Sequence, residues 1–316
     1  MLKEKGFYKG VNFGGWLSQC SYEKEHLDSF ITEKDFATVS EWGLDHVRIP
    51  FDYNIIEKDG EFIEDGFGYL DNAVQWCEKY GLNLVLDLHK TAGFSFDYYA
   101  ENENGFFDSP EYQERFFRIW EEMAKRYGKY SDRVAFELLN EVTDKEFIDS
   151  WNSIISRCIP RIRKFAPDTM ILVGSYHNNA ADTVQYLDAP YDDKVIYNMH
   201  CYEPLKFTHQ GAYWTDAIDP EVRMSCDDSE TSEEYFENLF STAIEKADKY
   251  GTDLYCGEYG IIDRISPEDT VKWYSIIAEV CRRHGIGRCA WNYKAMDFGI
   301  SDSRLDGVRD KLIALL

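Results

Sequence analysis

Short apolar runs alternate along the chain with longer segments in which apolar residues recur at helical spacing. In the run 82–89, Leu-Asn-Leu-Val-Leu-Asp-Leu-His, the central residues are apolar without strict alternation. This pattern is typical of strands that are buried on both faces of a parallel sheet. The predicted strands are 10–16, 45–51, 82–89, 133–140, 169–174, 194–202, 253–258 and 287–293.

Segments of helical period separate these strands. Ser109-Pro110 and Ser266-Pro267 each read as an N-cap followed by proline at the first helical position. Four glycines follow helical runs where a left-handed C-cap is favoured, namely Gly43, Gly81, Gly251 and Gly285. The predicted helices are 32–42, 68–80, 110–127, 145–165, 233–250, 267–284 and 304–316, with a weaker stretch near 179–187.

This alternation predicts an α/β fold, a (β/α)₈ TIM barrel, as a single domain over residues 1–316. Eight strand-helix units suit the barrel, whereas a doubly wound open sheet usually has fewer strands and a phosphate loop after the first. Neither G-x-G-x-x-G nor G-x-x-x-x-G-K-[ST] occurs in the chain. Dinucleotide and P-loop nucleotide chemistry therefore lack sequence support.

Charge narrows the class of partner. The chain carries 34 Lys and Arg against 58 Asp and Glu, a formal net charge of −24. Such a surface repels phosphate backbones and anionic lipids, so we expect neither nucleic-acid nor membrane binding. Aromatic residues make up 16% of the chain. Their flat apolar faces suit sugar rings, and a tyrosine-rich core would explain the same composition.

The eight cysteines are scattered and form no C-x-x-C pair, which favours free thiols in a reducing compartment. No apolar stretch with a cleavage site follows the N-terminus, so the chain as written is expected to be cytoplasmic. A secreted protein whose signal peptide had been removed would look the same. The histidines lack H-x-x-x-H and H-E-x-x-H spacing, so no metal and no cofactor is predicted, and we expect a monomer.

Polar and aromatic residues follow the predicted strands at their carboxyl ends, where a barrel builds its active site. Glu141 follows the fourth strand and Glu258 lies at the end of the seventh, so the two are placed to face each other across the barrel mouth. Paired carboxylates are what glycoside hydrolysis requires. A charge at the end of a buried strand needs a partner. The other residues in this set are Arg48, His89, Asn140, His200, Tyr202 and Trp291.

This set, in this order and over the whole chain, resembles glycoside hydrolase family 5 of the retaining (β/α)₈ clan. The opening Gly-Val-Asn-Phe-Gly-Gly-Trp-Leu and the closing Trp-Asn-Tyr-Lys-Ala-Met-Asp-Phe carry the likeness further. The resemblance implies Glu141 as acid/base, Glu258 as nucleophile and Asn140 as a ligand of the sugar 2-hydroxyl. It also implies that Arg48 and Tyr202 orient the nucleophile, and that His89, His200 and Trp291 hold the sugar beside the cleaved bond.

Two positions depart from the family pattern: Val142 stands where the family usually has proline, and Lys90 follows His89. Neither residue touches a reacting group, so we expect these departures to affect the choice of substrate rather than the chemistry. In the long loop 203–232, His209 and Trp214 are predicted to bind substrate. The loop at His177 could also touch sugar. His46 and His284 are expected to be structural or surface residues.

The leading hypothesis is a retaining endo-β-glucanase that cuts β-1,4 bonds in cellulose-like or mixed-linkage β-glucans. An exo-acting β-1,3-glucanase or a β-mannanase of the same fold is the nearest alternative, because linkage preference depends on loop shape. A non-catalytic carbohydrate-binding protein is the alternative from another class. A binder would not need both Glu141 and Glu258.

Overall fold

A computed structural model of the protein describes residues 2–97, 103–215 and 218–316. Eight parallel strands pair in sequence order, and the last pairs with the first, so the sheet closes into a barrel. The predicted (β/α)₈ TIM barrel is confirmed. The strands are β1 Lys9–Asn12, β2 His46–Asp52, β3 Asn83–Lys90, β4 Val134–Glu137, β5 Ile171–Val173, β6 Val195–Cys201, β7 Leu254–Tyr259 and β8 Gly287–Ala290.

Helices surround the barrel near the predicted positions, although one begins at Glu64 rather than at 68 and the last begins at Arg309 rather than at 304. The longer ones are α1 Glu33–Glu41, α2 Glu64–Tyr80, α3 Pro110–Tyr127, α4 Ile148–Arg163, α5 Glu233–Tyr250, α6 Pro267–His284 and α7 Arg309–Leu315. Short helical turns cover Lys24–Ser29, Tyr53–Ile56, Tyr176–Asn179 and Leu205–Thr208, and 3₁₀ turns cover Gly128–Tyr130, Lys145–Phe147, Ala181–Tyr186 and Ser303–Leu305. The weak stretch near 179–187 is therefore mainly a 3₁₀ turn.

The helix boundaries follow the capping residues. The Oγ atoms of Ser109 and Ser266 accept hydrogen bonds from the third residue of α3 and of α6, at 3.3 and 3.1 Å. Gly81, Gly251 and Gly285 end their helices with φ of 69°, 63° and 66°. This left-handed conformation is open to glycine at no steric cost, so these predicted boundaries are confirmed.

Several strands are shorter than predicted. β1 ends at Asn12, β4 at Glu137 and β8 at Ala290, although the apolar runs continue. The reason is that the loops over the barrel mouth also bury their side chains: Trp16 and Leu139 are each 1% exposed. Apolar character alone cannot separate a strand from a buried loop. The Lys24–Ser29 turn and a small hairpin, Glu57–Lys58 with Glu61–Phe62, were not predicted.

The barrel interior changes from apolar to charged along the strand direction. Near the amino ends of the strands, Val85, Ala135 and Ile196 belong to a small apolar cluster. Two residues further along their strands, Asp87 and Glu137 are fully buried. Because side chains alternate faces along a strand, residues two apart point to the same side. The charged layer therefore lies directly on the apolar one and forms the floor of the barrel mouth.

The remaining sequence expectations concern scattered residues. All eight cysteines are free thiols. His46 is fully buried and pairs with Asp45 and Tyr255, and His284 pairs with Glu237 on the surface, so both are structural as expected. Within the described ranges, no helix combines the length and the apolar character needed to cross a membrane.

Candidate active site

A single buried arginine organises the floor of the barrel mouth. Arg48, on β2, is fully buried and donates from Nε and Nη2 to the two carboxylate oxygens of Glu137, at 2.7 and 2.8 Å. Its Nη1 donates to Glu258 Oε1 at 2.6 Å, and its Nη2 lies 3.0 Å from Asp87 Oδ2. One guanidinium therefore contacts three carboxyl groups that come from three different strands.

This arrangement changes the protonation of the floor. Burial raises the pKa of Asp87 to about 7, even though Arg48 acts in the opposite direction. Burial also raises the pKa of Glu137. Burial would lower the pKa of Arg48, but the charges of Asp87, Glu137 and Glu258 raise it well above its ordinary value. The guanidinium stays charged, and part of the formal negative charge around it is neutralised by protons.

Glu258 is aimed into the mouth by an irregularity at the end of β7. The register between β6 and β7 shifts there, so that Met199 pairs with Cys256 and His200 with Glu258. The skipped residue is Gly257, where an added Cβ would lie 2.8 Å from Asn198 Oδ1. A bulge re-aims the following side chain. It brings Glu258 Oε2 within 2.7 Å of the donating Tyr202 hydroxyl.

The partners of Glu258 keep it ionised. Burial would raise the pKa of Glu258, but the charges of His200 and Arg48, with the Tyr202 hydroxyl, hold it below the ordinary value. Burial, together with the charges of Glu258 and Glu141, raises the pKa of Tyr202 well above its usual range, so its hydroxyl remains a donor. The sequence-predicted contacts of Arg48 and Tyr202 with Glu258 are thus present in the structure.

Glu141 stands opposite, in the segment that follows β4. Its Oε1 lies 2.7 Å from His200 Nδ1, and its Oε2 accepts a hydrogen bond of 2.7 Å from Asn178 Nδ2. One oxygen of Glu141, one oxygen of Glu258 and a ring nitrogen of His200 all lie within 4.8 Å of one another. Burial lowers the pKa of His200, but Glu258 and Glu141 outweigh it and raise the pKa above its ordinary value.

The same two carboxylates and His200 form the only cluster among the described residues that could hold a metal ion. Two hard carboxylates and one imidazole could bind several divalent ions. His200 Nδ1 already pairs with Glu141, however, and Glu258 already accepts from Arg48 and Tyr202. The site is therefore explained without an ion, and the absence of a metal or cofactor stays a prediction.

Two buried polar atoms in the cleft have no partner among the described residues, Asn140 Nδ2 and His89 Nε2. Asn140 is oriented by Arg48, whose Nη2 donates to its Oδ1 at 2.9 Å. His89 Nδ1 pairs with Asp87 at 2.7 Å, and the His89 ring lies parallel to Trp291 at 6.0 Å. A buried polar atom without a partner is costly unless a ligand satisfies it. Both atoms are therefore placed to meet a polar ligand.

The cleft has a volume of about 820 Å³, and nine of the ten sequence-predicted site residues line it. Arg48 lies beneath the cleft, in contact with Glu258. His209 packs between Tyr202 and Trp214, at ring distances of 5.2 and 6.1 Å. Burial lowers the pKa of His209 to about 4, so it presents a neutral ring. His177, which the sequence left open, also lines the cleft.

Sequence reasoning missed the residues that support this site. Asp87 and Glu137 lie inside apolar strands, and that context could have identified them, since a charge within a buried strand requires a partner. Asn12 accepts a hydrogen bond from Arg48, and Asn198 donates one to Glu137, each at 2.9 Å. Both asparagines also lie in buried strands and could have been identified in the same way. Asn178 is different, because it lies in a loop and no pattern places it beside Glu141.

Comparisons with known proteins find similar sequences that cover most of the chain. The family model of cellulase, glycosyl hydrolase family 5, matches residues 8–297. Cellodextrinase A of Ruminococcus flavefaciens is 62% identical over 289 residues, covering 91% of this chain and 86% of that protein. Endoglucanase C of Acetivibrio thermocellus is 37% identical and covers 98% of both chains.

Solved structures share the fold. The cellulose synthase subunit Z of Clostridioides difficile superposes with a TM-score of 0.83 at 26% identity, covering 98% of this chain and 99% of that one. Endoglucanase Cel5A of Thermotoga maritima gives a TM-score of 0.83 at 24% identity, covering 99% and 97%. The second likeness carries information on the fold alone.

Proposed function

Since the chain belongs to the cellulase family, glycosyl hydrolase family 5, we propose that it is a retaining endo-β-glucanase. Its substrates are cellulose-like or mixed-linkage β-glucans, in which it hydrolyses β-1,4-glucosidic bonds. The observation that carries the proposal is the carboxylate pair, since oxygens of Glu141 and Glu258 lie within 4.8 Å of one another. Retaining glycosidases hold their carboxyl groups about 5–5.5 Å apart, whereas inverting ones need about 6.5–9.5 Å to admit a water.

In the first step, the ionised carboxylate of Glu258 attacks the anomeric carbon while Glu141 gives its proton to the glycosidic oxygen. The bond from the anomeric carbon to the leaving sugar breaks, and an ester to Glu258 forms. Against the effect of burial, His200, Arg48 and Tyr202 prepare Glu258 for this role, because they hold its pKa below the ordinary value. Arg48 Nη1 holds Oε1 and the Tyr202 hydroxyl holds Oε2, which fixes the carboxylate plane.

In the second step, Glu141, now ionised, takes a proton from a water molecule that attacks the same anomeric carbon. The ester bond breaks and Glu258 is released as a carboxylate. Two inversions at one carbon return the β configuration. The free Nδ2 of Asn140 and Nε2 of His89 supply donors or acceptors to sugar hydroxyls. Trp291 and the aromatic residues around His209 supply flat apolar faces for the sugar rings.

Substrate class follows from charge and from the relatives. A net charge of −24 suits a neutral polymer better than an anionic one. The relatives at 62% and 37% identity are named a cellodextrinase and an endoglucanase, and these names refer to cellodextrins and to glucans. Short cellodextrins are therefore included among the proposed substrates.

The mechanism is tested by the configuration of the first product. Proton NMR of cellotetraose hydrolysis, read before mutarotation, is expected to show the β-anomer appearing first. An initial α-anomer would contradict double displacement. Product chain lengths from β-1,4, β-1,3, mixed-linkage and mannan substrates test the specificity. Exclusive release of glucose from β-1,3-glucan would favour an exo-acting β-1,3-glucanase, and cleavage of mannan alone would favour a β-mannanase. If no substrate gives a product, the protein would be a non-catalytic carbohydrate-binding protein instead.

A further inference from the structure

We propose that Asn178 is a positioning residue for the acid/base Glu141, held in place by a left-handed turn that packs on the segment following β4. The inference rests on the proposed function, because it concerns the proton-transfer role of Glu141. The observation that carries it is the 2.7 Å hydrogen bond from Asn178 Nδ2 to Glu141 Oε2. This contact comes from a loop beyond β5 and from outside the set that the strand ends supply.

The backbone of this loop is unusual. Three consecutive residues other than glycine, His177, Asn178 and Asn179, have φ of 50°, 55° and 57°. Such values are disfavoured for L-residues and least so for asparagine. A run of three persists only where the surrounding structure enforces it, and such outliers cluster at functional sites.

Contacts on both sides enforce the turn. The backbone nitrogens of His177 and Asn178 donate to the carbonyls of Thr143 and Val142 at 3.1 and 3.0 Å. These carbonyls belong to the two residues directly after Glu141. The turn is therefore tied to the segment whose carboxylate Asn178 contacts, so Asn178 and Glu141 keep their relative positions.

Asn179 anchors the other end of the turn. Its side chain is fully buried over Gly174, where an added Cβ would lie only 2.1 Å from Asn179 Oδ1. Its Nδ2 lies 3.4 Å from Nε2 of His200, and Nδ1 of His200 pairs with Glu141. Neighbouring asparagines thus contact Glu141 directly and through His200.

These contacts fit a group that must lose and regain a proton. Asn178 and His200 each use one lone-pair position, on different oxygens of Glu141. Each carboxyl oxygen has two such positions, so one remains free on each oxygen, and either can carry the proton that goes to the glycosidic oxygen. As that proton leaves, negative charge develops on Glu141 and the hydrogen bond from Asn178 strengthens. An interaction that is stronger in the transition state accelerates the step.

Leaving-group dependence provides the test, since departure of 2,4-dinitrophenolate needs no proton whereas departure of phenolate or a sugar does. Asn178→Gly removes the donor and suits the positive φ. We expect its kcat/KM to fall about 10-fold on phenyl β-cellobioside and on cellotetraose, and to stay within about 2-fold on 2,4-dinitrophenyl β-cellobioside. Asn178→Asp, which also tolerates positive φ, places a carboxylate against Glu141 and should show a larger difference between the two aryl substrates.

His177→Gly is the matched control, because it removes a cleft-lining side chain from the same turn at φ of 50° and leaves Asn178 in place. Its kcat/KM is expected to change equally on both aryl substrates. Equal losses on both substrates for Asn178→Gly and Asn178→Asp, or no loss in either, would overturn the positioning role. If the wild-type protein fails to cleave aryl β-cellobiosides, or first releases the α-anomer, the proposed function itself fails.

Discussion

The two carboxylates at the barrel mouth have very different surroundings. Glu258 lies over a charged floor, where Arg48 contacts it at 2.6 Å and joins it to Asp87 and Glu137. Glu141 contacts no arginine or lysine among the described residues, and its partners are an imidazole and an amide. Arg48 lies on β2 and Tyr202 directly follows β6, whereas Asn178 lies in the short Tyr176–Asn179 turn after β5.

This difference matches the two proposed tasks. A nucleophile must stay ionised, and a permanent cation within hydrogen-bond distance ensures that. An acid/base must change its protonation twice in each cycle, and a permanent cation would oppose its protonated form. A neutral amide stabilises developing charge without fixing it. The comparison predicts that the two sides respond differently to substitution.

The largest effect is expected from removing either carboxylate. Glu258→Ala and Glu141→Ala should each lower kcat on cellotetraose by about 10³-fold or more, because nucleophilic attack or proton transfer is lost. On 2,4-dinitrophenyl β-cellobioside, whose leaving group departs without a proton, added azide should separate them. It attacks the glycosyl-enzyme in Glu141→Ala to give a β-glycosyl azide, and it replaces the missing nucleophile in Glu258→Ala to give an α-glycosyl azide. NMR of the products distinguishes the two.

Glu146→Gln, an exposed acid in the segment that follows Glu141, is the control for these variants and should keep nearly full activity. A Glu141 or Glu258 variant that keeps more than about a tenth of the wild-type rate would remove that residue from its assigned role. The same azide anomer from both variants would contradict the contrast between the two sides.

A loss of stability is expected when Arg48 is shortened. Arg48→Lys keeps the charge but cannot form the paired contacts with Glu137, so buried carboxylates lose partners. Because the cation is retained, the expected cost is that of buried acceptors left without a donor, about 1–3 kcal/mol in the free energy of unfolding, measured by urea denaturation. Arg126→Lys, at a surface pair with Glu64, is the matched control and should cost less than about 1 kcal/mol. Equal costs would mean that the floor does not depend on the guanidinium fork.

A pH-dependent stability is expected from Asp87. Its pKa rises from 3.8 to about 7 on folding, so the folded state binds a proton that the unfolded state has released. The stabilisation is present in full below the unfolded pKa and is lost as the pH rises through about 7. Asp87→Asn cannot lose a proton there. Between about pH 5 and 8, its unfolding free energy should gain about 3 kcal/mol relative to wild type. A pH-independent difference would mean that Asp87 is ionised throughout.

The smallest effect concerns the surface. Although the net charge is −24, kcat/KM on neutral mixed-linkage glucan should change less than about 2-fold between low and high salt, since an uncharged substrate feels little of a field screened over about 10 Å at 0.1 M. On carboxymethyl cellulose, the same salt series should raise the rate by screening repulsion. A steep salt dependence on the neutral glucan would contradict the assignment of a neutral substrate.

Prediction from sequence succeeded where a residue lies at a strand end or a helix cap. Glu258 and His200 follow apolar runs directly, so strand periodicity placed them at the barrel mouth. Ser109 and Ser266 located two helix starts because their caps act over only three residues. Prediction from sequence failed for the ends of β1, β4 and β8, because buried loops continue the apolar pattern beyond these strands.

The sequence by itself therefore determined the barrel, the helix ends marked by capping residues and the residues at the mouth, because these depend on local periodicity and on the shared direction of parallel strands. The family resemblance already implied Arg48 and Tyr202 beside Glu258, whereas only the tertiary structure decided the contacts of Arg48 with Asp87 and Glu137 and the contact of Asn178 with Glu141. The contacts of Glu258 with Arg48 and of Glu141 with Asn178 span 210 and 37 residues. The bulge at Gly257 and the left-handed turn at 177–179 set the directions of these side chains. Such contacts arise from closure of the barrel and loop packing, which no local pattern encodes.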